Sequence, residues 1–165
     1  MTMKNLTLTI GLAFAILLGS SATSWGADYS KAIEAHERGD FVTALREYEL
    51  LAERGHSEAM TRLGYMHFEG QGVIQHYGTA RKWWVLAAEM RHPEAMFHLG
   101  YMYASGKGVP QDPVYSHMWW NISASLGYEH ARDVRDVFAE VMTTFQIEKA
   151  QELAQECVRK EYKGC

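Results

Sequence analysis

Residues 80–109 read ARKWWVLAAEMRHPEAMFHLGYMYASGKGV, and the fold follows from the spacing inside this stretch and from where it recurs. Ala80, Trp83, Trp84, Ala87 and Ala88 fall at i, i+3, i+4, i+7 and i+8, which places them on one face of an α-helix. Ala95, Met96, Leu99 and Met102 continue the pattern on a second segment, with Pro93 suited to its first turn, where a missing N–H leaves no bond unmade. Gly106 and Gly108 then close that segment, where residues of positive φ are needed to reverse the chain. A phosphate-binding glycine loop would instead follow a strand and precede a helix. The stretch is a helical hairpin.

The hairpin repeats. Residues 44–79 laid over 80–115 without a gap share 16 of 36 positions. Among them are Ala44/Ala80, Ala52/Ala88, His56/His92, Ala59/Ala95, Leu63/Leu99, Gly64/Gly100, Tyr65/Tyr101, Gly70/Gly106 and Gly72/Gly108. A further step of 36 carries Trp83 to Trp119, Trp84 to Trp120, Ala88 to Ala124 and Ala95 to Ala131, after which the likeness fades. The units are therefore read as 40–75, 76–111 and 112–131, the last keeping its first helix, which Asp112 and Pro113 begin as N-cap and N1. Small residues at Ala88, Ala95 and Gly100 allow helices to approach closely, and Trp84 and Tyr101 fill the space between layers.

A stacked array must close its apolar ends. Residues 29–38, with Ala32, Ile33 and Ala35, are expected to form a short helix ending at Gly39. At the other end, capping helices are expected over 132–163. Val134, Val137, Phe138, Val141 and Met142 form one stripe, and Thr143 with Gln146 gives a capping box. Ile147, Ala150, Ala154, Cys157 and Val158 continue as a final amphipathic helix. The reading is an all-α chain of about eight helices.

The first 26 residues read as a signal peptide. Lys4 precedes an uncharged apolar run from Leu6 to Leu18, shorter than the roughly 20 residues a bilayer span needs. The small residues Ser24 and Gly26 set a cleavage point after Gly26. The domain is then 27–165, periplasmic or secreted, with no stable membrane insertion after cleavage. A net charge of −4 gives no basic surface for nucleic acid or anionic lipid. The two cysteines, Cys157 and Cys165, are expected to pair in an oxidising compartment, with free thiols or an intermolecular bond as the alternatives. Eight residues of straight helix would separate them by about 12 Å, so pairing requires the helix to end before Cys165.

Nothing in the pattern carries chemistry. The eight histidines form no His-Glu-x-x-His, no i, i+4 pair and no set with a Cys-x-x-Cys. The serines lack the Gly-x-Ser-x-Gly and Ser-x-x-Lys contexts of nucleophiles. Carboxylates such as Glu34 and Glu37, or Asp133 and Asp136, sit at helical spacing beside basic residues, as on a solvated face. No catalytic residue, metal or cofactor is expected.

The pattern A-x-x-W-W-x-x-A-A followed by A-x-x-x-L-G-x-x-Y-x-x-G-x-G-V, from Ala80 to Val109, resembles the Sel-one-like repeat, a relative of the tetratricopeptide repeat. The resemblance implies a right-handed solenoid of antiparallel helix pairs that binds a protein or peptide partner. Two departures stand out. His76 occupies the position where Asp112 caps the third unit, and Glu47 stands where Trp83 and Trp119 recur, so the first unit should pack less tightly. Columns that vary from unit to unit are free to serve a ligand: Leu45/Arg81/His117, Arg46/Lys82/Met118 and Glu49/Val85/Asn121. These lie on first helices, which line the concave face in related folds. Arg81, Lys82, Val85, His117, Met118 and Asn121 are the expected contacts. The expected function is an adaptor in the cell envelope. The alternatives are an immunity protein that neutralises a toxin effector such as a phospholipase, and an enzyme on cell wall or β-lactams. The last fails on its residues, because the family members linked to β-lactams carry a cysteine pair in each repeat and no Cys occurs here between Ala27 and Glu156.

Overall fold

The computed structural model describes residues 19–165. Most of the expected leader lies outside the described residues. Within them the chain is eight helices and no strand: α1 Gly19–Glu37, α2 Phe41–Glu53, α3 Ser57–Glu69, α4 Tyr77–Glu89, α5 Pro93–Ser105, α6 Pro113–Ser125, α7 Glu129–Ala139 and α8 Thr144–Arg159. The α1 helix differs from its expected extent. It is helical from Gly19 and runs past the expected cleavage point to Glu37.

Local chemistry sets the boundaries. Asp40 accepts from the Thr43 N–H at the start of α2, and Asp112 accepts from Val114 and Tyr115 at the start of α6. His76, at the position of Asp112, does the same work through its ring: Nδ1 accepts from the Thr79 N–H at 3.0 Å. Thr143 and Gln146 form the expected capping box on α8. Helices α3 and α5 end at Gly70 and Gly106, both left-handed. Gly72 and Gly108 are also at positive φ, and a β-carbon there would collide with Phe41 and Tyr77 respectively. The Gly-x-Gly pair thus turns the chain and lets it pass against the preceding first helix. Gln75 and Gln111 repeat one further bond, each donating its amide to a carbonyl at the end of the helix before, Phe68 and Ala104.

Neighbouring helices are antiparallel. The most extensive packing joins α3 to α4 and α5 to α6. Its centre is a tryptophan lying where a glycine has no side chain. Trp84 fills the space above Gly64 and donates Nε1–H to the Thr61 carbonyl at 3.1 Å. Trp120 fills the space above Gly100 and donates to the Phe97 carbonyl at 3.1 Å. Ser116 and Ser123 tie α6 to the Gly100 and Pro93 carbonyls. In the first unit Tyr48 stands at the position of Trp84 and Trp120, and the neighbouring aromatic is replaced by a carboxylate. Glu47 is buried and takes the Lys31 ammonium at 2.8 Å and the Arg46 guanidinium at 2.9 Å, so an ion pair closes the position where Trp83 and Trp119 sit.

After α7 the stacking pattern breaks. Helix α8 returns to lie along α6 and buries Ala150, Ala154 and Cys157. The Cys157–Cys165 disulfide is formed, with 5.5 Å between the α-carbons, because the helix stops at Arg159 and a left-handed turn at Glu161 and Tyr162 brings the tail back. That turn drops the Tyr162 ring onto the core, under the Arg91 guanidinium.

Candidate partner-binding surfaces

The face of the first helices is best followed in steps of 36. Leu50 and Leu86 are 43% and 45% exposed, whereas Ile122, the next residue in that column, is 2% exposed. Arg46 and Lys82 are open to solvent, and Met118, next in theirs, is buried. The cause is α8. Its residues Leu153, Cys157 and Val158 line the same small cavities as Tyr115, Met118 and Ile122 of α6. The chain thus covers this face with its own last helix at the third unit and leaves it bare on α2 and α4.

The six expected contact residues therefore do not form one surface. Arg81 and Lys82 are exposed, and Val85 and Asn121 are half-buried. His117 and Met118 are buried, which corrects the expectation that they face a partner. Met118 lies under α8. His117 lies toward α7, and its burial lowers its pKa, with Arg135 acting in the same direction. Asn121 accepts from Arg135 of α7 at 3.0 Å, so it too is engaged within the fold. Two of the three variable columns end against α7 and one against α8. Leu50 and Leu86, exposed on this face, lie outside the expected contacts because they are identical across one repeat, and identity at that period signals packing.

The histidines that recur at 36 have structural tasks. His56 Nδ1 accepts from the Ala59 N–H and its ring stacks on Tyr29 at 4.7 Å. His92 instead reaches across to Glu58, with Nε2 2.7 Å from Oε2, while Arg62 donates to Oε1 at 3.1 Å. The His92 hydrogen bond holds the Glu58 carboxyl well below the usual range, at about 2. His98 stacks on Trp84 at 4.7 Å and stands 3.8 Å from Glu94. Among the described residues no group of three His, Cys, Asp or Glu side chains could hold a metal ion. No described helix is long and apolar enough to cross a membrane.

A second surface is the outer side of α7. Val137 and Val141, the latter in the turn after α7, are 68% and 80% exposed, and with Asp133, Val134 and Phe138 they edge an open apolar pocket of about 420 Å³.

The Sel1 repeat model matches residues 57–92 and 93–128, so the chain carries two Sel1 repeats. The matched units run from a second helix to the next first helix, pairing α3 with α4 and α5 with α6, which are the pairs that pack most extensively. No curated protein sequence matches the chain significantly. Among solved structures, the chain is similar to a protective antigen of uropathogenic Escherichia coli strains displaying an SLR fold. The TM-score is 0.76 and the identity 21%, over 84% of this chain and 31% of that one. It is also similar to a Sel1 repeat protein from Oxalobacter formigenes, with a TM-score of 0.60 and 22% identity, over 81% of this chain and 57% of that one. At these identities the likeness is one of fold, and this chain spans about a third and somewhat over half of the two relatives' lengths.

Proposed function

We propose that this chain, two Sel1 repeats held between its own end helices, is a periplasmic interaction module that binds a partner protein or peptide on its superhelical surface. The face assigned to the partner is that of α2 and α4, with Lys82, Leu86 and Leu50 at its centre and Arg81 and Val85 at its border. One observation carries the reading: a helix covers this face at the third unit, and the same columns stand uncovered at the two before it. A half-exposed leucine gains on the order of 1 kcal/mol when a partner covers it. Arg46 and Lys82 beside the leucines supply charge that steers association. The disulfide and the leader-like first residues support the oxidising compartment.

The test is a photo-crosslinking residue placed at position 86, or at position 69 as a control, in the chain expressed with its native leader. The expected result is one discrete adduct in the periplasmic fraction from position 86 and none from position 69. Equal adducts from both positions, or none from 86, would remove this face from the account.

A further inference from the structure

The outer side of α7 shows where the array stops and what is left open there. Stepping by 36 from Gly64 and Gly100 reaches Asp136. The two glycines each admit a tryptophan from the next first helix, whereas an aspartate blocks that approach. Helix α8 turns back to α6 and supplies no cover. Trp120 meets the inner edge of Phe138 at 5.1 Å between ring centroids, and the outer side of the stripe carries Val137 and Val141 at high exposure. Contiguous exposed apolar surface of this kind marks an interaction site.

The charges beside the stripe choose the occupant. Asp133 and Glu140 flank its open edge at helical spacing from Val134, Val137 and Val141, and neither has an ion-pair partner among the described residues. Asp136, further round, is met by Arg135 at 2.6 Å. A second copy of this chain docked stripe to stripe would set acidic edge against acidic edge, which opposes association. An amphipathic helix whose apolar ridge is bordered by Lys or Arg meets both features at once. We infer that the stripe Val134, Val137, Phe138 and Val141 docks an apolar helix with basic flanks, contributed by a partner protein. This site is separate from the α2 and α4 face and uses none of its residues.

The experiment uses the full folded domain and a pair of labelled model peptides read by fluorescence anisotropy. Both peptides have leucine at i, i+3, i+4 and i+7; one carries lysine on its flanks, the other glutamate. The lysine peptide is expected to bind at least about tenfold more tightly than the glutamate peptide, in line with charge-selected interfaces. Val137→Asp with Val141→Asp should abolish binding, and Asp133→Lys with Glu140→Lys should reverse the preference. Because all four positions are exposed, circular dichroism should be unchanged. Lys82→Glu with Leu86→Asp should leave the peptide affinity as it was, which separates this site from the other face. Absence of binding to either peptide, equal binding of both, or binding that survives the valine changes would overturn the inference. So would a concentration-dependent dimer in sedimentation that Val137→Asp dissolves.

Discussion

The Trp120 ring occupies the space a β-carbon at Gly100 would need, with Cδ1 2.6 Å from that position. The same relationship holds between Trp84 and Gly64 one unit earlier. The glycine and the tryptophan therefore fix each other, and this pair sets the distance between helices in the solenoid.

Gly100→Val should accordingly destabilise the domain by about 3 kcal/mol or more, at the upper end of overpacking costs, since Trp120 would lose both its site and its bond to the Phe97 carbonyl. Lys82→Ala, on an exposed stretch of α4, should change stability by less than about 0.5 kcal/mol. Thermal melts of the two variants decide it, and equal melting temperatures would contradict the stacking account.

The disulfide closes a short loop, which on a chain-entropy estimate contributes about 2 to 3 kcal/mol. Cys165→Ser should lower stability by that order and release the Tyr162 ring from the core. Chemical denaturation with and without reductant measures the first. Hydrogen exchange of the backbone amides of residues 160–165 measures the second.

Arg91 adopts a left-handed conformation, φ 64°, where the units on either side have Gly55 and Gly127. An L-residue there costs roughly 1 kcal/mol or somewhat more, which the guanidinium offsets by lying 5.7 Å from the Tyr162 ring centre. Arg91→Ala keeps the strain and loses the contact, so it should destabilise. Arg91→Gly removes both and should be near neutral. A reversed order in urea midpoints would show that the strain is not what matters.

Most of this architecture is legible in the sequence because it rests on residues that act locally or at a fixed period. The helix caps, the Gly-x-Gly reversal and the small residue at Gly100 recur at 36 or lie within one turn, whereas the seating of Trp120 on Gly100 is a contact between units, and Tyr101, expected between layers, is 41% exposed. What is not legible is the path of α8. Its amphipathic pattern says that it must be covered, but the side of α6 it covers depends on contacts between distant parts of the chain. That choice buries Met118 and exposes the meaning of Leu50 and Leu86, two residues whose identity across the repeat serves a surface. His92 gives a second example: it repeats His56 in sequence, yet it pairs with Glu58 where His56 caps a helix.

That pairing makes a pH prediction. The Glu58 carboxyl has its folded pKa depressed to about 2, chiefly by the hydrogen bond from His92. A depressed carboxylate contributes stability that is fully present above the unfolded value near 4.5 and is lost as pH falls through about 2. Unfolding free energy should fall across that window. Glu58→Gln should flatten that decline, read from denaturation curves taken between neutral pH and pH 2.

Partner binding on the uncovered face of α2 and α4 is tested by a calorimetric titration of the partner crosslinked from position 86. The titration compares the native domain with Lys82→Glu, Leu86→Asp, using circular dichroism to confirm that both are folded. A loss of affinity of at least about tenfold is expected in the variant, from one leucine no longer covered by the partner and one reversed charge. An unchanged dissociation constant in a folded variant would contradict it and place the partner elsewhere on the solenoid.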